Sequence, residues 1–71
     1  MSYLLWDTDS GNVVDSFTSE NDALEEVRVT VKEFGHAFAA TLALSGRDSS
    51  GHRFVVAAGQ ELIDRAMSLA A

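Results

Sequence analysis

Short apolar runs alternate with clusters of turn-forming residues along the first part of the chain. Residues 3–6 and 13–17 are rich in aromatic and β-branched side chains, which favour strands. Residues 9–12 lie between them and read Asp-Ser-Gly-Asn, a concentrated turn signal. The pattern therefore predicts a β-hairpin, although the loop length leaves open which side chains face the core.

Apolar residues then recur at helical spacing between Ser19 and Gly35. One face of the predicted helix carries Ala23, Leu24, Val27, Val31 and Phe34. Ser19 can cap the first turn, and Gly35 can adopt the positive φ that ends many helices. Residues 27–31 alternate like a β-branched strand, but both capping signals favour the helix.

The second half of the chain repeats this order. Residues 37–45 are predicted to form a strand, and residues 46–51 a turn. Residues 53–58 are predicted to form the fourth strand, and residues 60–70 the second helix. The side chains predicted to share one face of the third strand are Phe38, Ala40, Leu42 and Leu44. The predicted apolar stripe of the second helix is Leu62, Ile63, Ala66, Met67 and Ala70.

Strand, Ser-Gly turn, strand and helix thus occur twice, as a weak internal repeat. We predict one small domain over residues 1–71, with two ββα halves at about 1–35 and 36–71. The predicted fold is α+β, a ββαββα two-layer sandwich. Its four-stranded antiparallel sheet has both helices on one face.

Such a fold leaves one face of the sheet uncovered. The first strand is apolar on both sides, with Tyr3 and Leu5 on one and Leu4 and Trp6 on the other. One of these pairs is predicted to stay outside the core, and exposed apolar patches mark interfaces. Val29, on the polar side of the first helix, is a second candidate contact. All five residues are predicted to bind a partner.

Length and charge narrow the choice of partner. A domain of 71 residues has a marginal core, and this chain contains no Cys, so a homodimer is the expected source of further buried area. The net charge of -6 argues against binding nucleic acid or an anionic membrane surface. A basic protein partner fits better. The chain shows no signal peptide or apolar span, which predicts a cytoplasmic protein.

Some side chains of the chain are of reactive or metal-binding types. Asp7, Asp9 and Asp15 crowd the first hairpin and could hold a divalent cation, but they also suit solvated turns. His36 and His52 lack the companions of a closed zinc site. No serine lies in a nucleophile elbow. We therefore predict no enzyme, metal or cofactor, and keep a small-ligand or divalent-metal-binding module as the alternative.

Nucleic-acid binding through a sheet face is a third hypothesis. Tyr3, Trp6 or Phe38 would then stack on bases, and the net charge argues against it.

The first half of the chain resembles the HicB-like antitoxins. The resemblance covers residues 3–34 and rests on three short stretches. These are Asp9-Ser10-Gly11, Phe17-Thr18-Ser19 and Ala23-Leu24. The Pro- and Gly-containing segment usual before the helix of that family is missing. The resemblance implies a non-catalytic acidic module that inhibits a basic toxin. Our first prediction remains a non-catalytic interaction or regulatory module, homodimeric through a sheet face or edge.

Overall fold

The computed structural model describes residues 1–69, in which four antiparallel strands form one sheet. The strands are β1 (Ser2–Asp7), β2 (Val13–Phe17), β3 (Leu42–Arg47) and β4 (Arg53–Ala58), in the order β2-β1-β3-β4. The helices are α1 (Glu20–Phe34), α2 (His36–Ala39) and α3 (Gly59–Ser68). The predicted ββαββα sandwich is confirmed, with the short helix α2 added to it.

The core lies between the sheet and the helices α1 and α3. Leu5 and Leu44 are register partners on the two central strands, and both are fully buried. Val27 from α1 and Leu62 from α3 are fully buried against the same cluster. Burying a leucine or valine completely stabilises a fold by roughly 1.5–3 kcal/mol. Helix α2 contacts α1 and α3, so within residues 1–69 no helix lies over the opposite face of the sheet.

Helix α1 forms where its capping signals predict it. The Ser19 Oγ accepts a hydrogen bond from the backbone N–H of Asp22 at 3.1 Å, and Gly35 has a φ of 93°. Residues 27–31 are therefore helical. Their alternation of β-branched and other side chains does not lead to a strand. Phe34, predicted for the apolar face, is 67% exposed because it is the last residue of the helix.

The prediction of a strand over residues 37–45 is wrong in its first part. His36–Ala39 forms α2, and β3 begins only at Leu42. Alanines favour a helix as readily as they fit an alternating strand. The backbone N–H of Ala39 donates to the Gly35 carbonyl at 3.3 Å, which closes a helical turn. Phe38 therefore leaves the predicted sheet face and is 47% exposed, beside the ring of Phe34.

Helix α3 packs on the core largely as its apolar stripe predicts. Leu62, Ile63 and Ala66 are buried, whereas Met67 is 42% exposed. Ala70 lies outside the described residues. No helix within residues 1–69 combines the length and apolar character needed to cross a bilayer.

Candidate functional site

The uncovered side of the sheet, here called the open face, carries three rows of side chains that cross the strands. The arginine row lies at one end and is Ser2, Arg47 and Arg53. The middle row is Ser16, Leu4, Ser45 and Val55. The tryptophan row is Val13, Trp6, Ala43 and Ala58. The open face is thus apolar in the tryptophan row, mixed serine and apolar in the middle row, and basic in the arginine row.

Trp6 is the fixed aromatic group of this face. Its indole N–H donates to the Ser45 Oγ at 3.0 Å, so the ring reaches from β1 onto β3. Ala43, the register partner of Trp6, is only 2% exposed although no helix covers this side. Val13 and Val55 are 58% and 67% exposed. Exposed apolar surface around an anchored indole is typical of an interaction site.

Two arginines stand opposite each other at the end of the open face. Arg47 and Arg53 are register partners on β3 and β4, and both are exposed. Like charges directly opposite in a sheet are destabilising. Within residues 1–69, the ion pairs involve other groups, Arg28 with Glu25 and His52 with Asp48, so neither strand arginine has a carboxylate partner.

A shallow depression of about 290 Å³ runs along the open face. The indole of Trp6 and the side chains of Leu4 and Val13 supply its apolar part, and Arg47 and Arg53 supply its charge. No strand residue on this face is acidic, although the chain carries a net charge of -6. The open face is therefore a basic, apolar surface on an acidic protein.

The predicted partner-binding residues separate into three groups. Leu4 and Trp6 lie half-exposed on the open face, as expected for one of the two pairs. Tyr3 and Leu5 are 7% and 0% exposed and belong to the core, so they cannot contact a partner directly. Val29 is half-buried on α1, on the other side of the sheet, and does not join Leu4 and Trp6.

Four further residues of the open face are not identified as candidate contacts by the sequence analysis. They are Arg47, Arg53, Val13 and Val55. The sequence does show that Arg53 and Val55 share one face of β4, since they are two residues apart in a strand. The sequence alone does not show the pairing of β1 with β3 and of β3 with β4, which places the arginines on the same face as Leu4 and Trp6.

Asp7 holds the turn of the first hairpin, and Asp15 lies in β2. The Asp7 carboxylate accepts from the backbone N–H of Asp9 at 3.0 Å and from the Ser10 hydroxyl at 3.2 Å. The Asp15 carboxylate accepts from the N–H of Ser16 at 2.8 Å. Across residues 1–69, no three side chains of His, Asp or Glu converge as a metal ion would require. The hydrogen bonds of Asp7 are those of a turn residue.

The two histidines lie apart. His36 begins α2 and is exposed. His52 follows the β3–β4 turn, where its Nδ1 lies 2.9 Å from the Ser50 Oγ and 3.8 Å from the Asp48 carboxylate. All three side chains belong to one solvent-exposed turn, and their contacts hold the turn together.

Comparisons with known proteins found no matching family model, no matching curated protein and no matching solved structure.

Proposed function

We propose that this chain is a non-catalytic protein-interaction module that forms a homodimer through its open face. The observation that supports it is the anchored Trp6 beside Leu4 and the exposed Val13 and Val55. Uncovered apolar surface of this kind costs free energy in water, and a second copy would bury it.

The face suits a partner better than the sheet edges do. Both edge strands carry a bulge, because Val14 of β2 and Val56 of β4 are extra residues between register partners. Bulges twist an edge strand and interrupt its row of backbone groups, which discourages the addition of another strand. We therefore place the contact on the open face.

Sedimentation at micromolar concentrations tests the proposal. The wild type should sediment at twice the chain mass of 7.6 kDa. Trp6→Ala and Val55→Gln should each weaken the dimer, Trp6→Ala by about tenfold or more, as anchor residues do. Phe34→Gln is the matched control, since Phe34 is as exposed as Val55 at 67% but lies on the helical side. A wild type that stays at the chain mass would refute the dimer.

A second candidate function is the binding of a small anionic ligand. Arg47 and Arg53 favour it, because they line the same depression as Trp6 and have no carboxylate partner within residues 1–69. Guanidinium groups bind carboxylates and phosphates in a bidentate manner. Trp6 is the chain's single tryptophan, so its fluorescence reports on this face. Titration with benzoate and phenyl phosphate should change the emission if this function is real, and an unchanged spectrum at millimolar ligand would contradict it.

The antitoxin role implied by the HicB-like resemblance concerns the other side of the molecule. Most acidic residues lie on α1 and α3, among them Glu25, Glu33 and Asp64. A basic partner would be attracted to this helical layer. Such binding would leave the open face free for a second copy.

A further inference from the structure

The depression on the open face is aromatic towards one end and cationic at the other. The indole of Trp6 lines it on the side of the tryptophan row, and Arg47 and Arg53 line it at the arginine row. Leu4 and Ser45 of the middle row line the part between them. A ligand that fits both ends therefore needs a flat ring at one end and an anionic group at the other.

We propose that this depression binds a nucleoside monophosphate, with the base stacked on the Trp6 indole and the phosphate held by Arg47 and Arg53. This inference rests on the second candidate function, the binding of a small anionic ligand, and names the class of that ligand.

The indole is already held in place before a base arrives. Its N–H donates to the Ser45 Oγ at 3.0 Å, which ties the ring across β1 and β3. Trp6 is half-exposed, so part of its ring surface faces solvent. A side chain that is already ordered loses little freedom on binding. Every nucleic-acid base has a flat π-face that can stack on such a ring.

The two guanidinium groups form the anion-binding end. Arg47 and Arg53 are exposed register partners, and neither has a carboxylate partner within residues 1–69. A phosphate that accepts bidentate hydrogen bonds from both would relieve their mutual repulsion. A phosphate monoester carries a charge of about -1.5 to -2 at pH 7, so it offsets more of that repulsion than a carboxylate does.

The distance between the two ends favours a ligand with a spacer between ring and phosphate. Successive rows lie about 7 Å apart, because side chains on one face of a strand repeat every two residues. The indole reaches from the tryptophan row to Ser45 in the middle row, which leaves roughly one further row spacing to the arginines. The ribose of a nucleotide separates base and phosphate by a comparable distance. Ser45 accepts the indole N–H and keeps its own O–H to donate to that ribose.

Size and charge limit the ligand to a single nucleotide. The depression holds about 290 Å³, which lies at the small end of the range of about 300–1,000 Å³ for ligand pockets. The chain carries a net charge of -6, so each further phosphate beyond the arginines would be repelled. An RNA strand needs a longer basic stripe than these two arginines provide.

Calorimetry and indole fluorescence with five probes test the proposal. Adenosine 5′-monophosphate should bind about tenfold or more tightly than adenosine, which lacks the phosphate, or ribose 5-phosphate, which lacks the base. It should bind about fivefold more tightly than phenyl phosphate, which lacks the spacer. Oligoadenylate RNA should bind no more tightly than the monophosphate. The wild type and Val55→Gln are both titrated, because Val55 does not line the depression and its replacement should uncover the site in any dimer.

Variants separate the two ends of the site. Arg47→Gln with Arg53→Gln should weaken binding of the monophosphate about tenfold or more and leave that of adenosine within about twofold. Trp6→Ala should weaken the binding of both ligands, because both lose the stacking surface. Lys32→Gln with Arg65→Gln makes the same change of net charge on the helical layer, and it should leave binding within about twofold of the wild type. Circular dichroism confirms that each variant is folded.

The outcomes separate the nucleotide from the anion site and from the dimer. Equal affinities for the monophosphate and phenyl phosphate would overturn the nucleotide and keep the second candidate function. Oligoadenylate bound about tenfold more tightly than the monophosphate would overturn it in favour of an RNA strand. No response to any probe, in the wild type or in Val55→Gln, would overturn both the inference and the second candidate function. The homodimer would then still stand or fall by sedimentation.

Discussion

At the scale of single residues, Gly46 and Phe54 form the closest fit on the helical side of the sheet. They are register partners on β3 and β4. A Cβ added at Gly46 would lie 2.6 Å from the Cε2 of Phe54. The Phe54 ring also meets Tyr3 edge-on, with ring centroids 6.4 Å apart. The missing side chain of Gly46 therefore lets the ring lie flat across β3 and reach Tyr3.

We expect Gly46→Ala to destabilise the protein by about 1 kcal/mol, because the Phe54 ring must move away. In a Phe54→Ala background the same change should stabilise by about 0.5 kcal/mol, as alanine usually does relative to glycine inside a strand. Urea denaturation of the four proteins gives the coupling energy. A coupling near zero would mean that the ring does not depend on Gly46.

The sequence predicted the two sides of β1 but not which side is buried. The alternation separates Tyr3 and Leu5 from Leu4 and Trp6 on any register. Only the pairing with β3 decides between them, because it places Leu5 opposite the buried Leu44. Pairing between strands so distant in sequence depends on the whole sheet. The local pattern of apolar residues therefore cannot decide which side of β1 is buried.

At the scale of elements, the two hairpin turns share one local construction. Asp7 and Asp48 each begin a turn, and each carboxylate accepts the backbone N–H two residues further on. Gly11 and Gly51 follow with positive φ angles of 74° and 89°. These requirements are local, and they explain why the turns were predicted. The helix α2 was missed because its alanines satisfy helix and strand patterns alike.

Asp48 should make the stability of the second turn depend on pH. The hydroxyl of Ser50 and the backbone N–H of His52 donate to its carboxylate, which lowers its pKa below the usual value of 3.8. Because the folded pKa lies below the unfolded one, the stabilisation is complete above the unfolded pKa. It is lost as pH falls through the folded pKa.

We therefore expect Asp48→Asn to lower the urea midpoint at pH 7 and to make little difference near pH 2. Measurement at fixed protein concentration across this range checks the direction. Glu33→Gln is the control, since it removes one carboxylate without touching the turn. The same dependence of the urea midpoint on pH in both variants would contradict the role of Asp48.

At the scale of the whole molecule, the fold is a thin slab with two different sides. The principal extents of its Cα trace are 35, 31 and 17 Å. Both helices that cover the core are acidic on their exposed surface, whereas the open face carries arginines and apolar groups. The sequence predicted the two layers from periodicity. The separation of charge between them arises only when β3 pairs with β1.

A slab whose core is this thin should gain stability from dimer formation, and the gain should depend on concentration. Anything that binds only the folded chain stabilises it by mass action, and a second copy does so increasingly as its concentration rises. Raising the wild-type concentration from about 5 to about 500 µM should increase Tm by at least about 5 °C. Trp6→Ala should show a clearly smaller rise of Tm over the same range, because its open face lacks the anchor. Parallel rises in both proteins would show that the stabilisation does not arise at the open face.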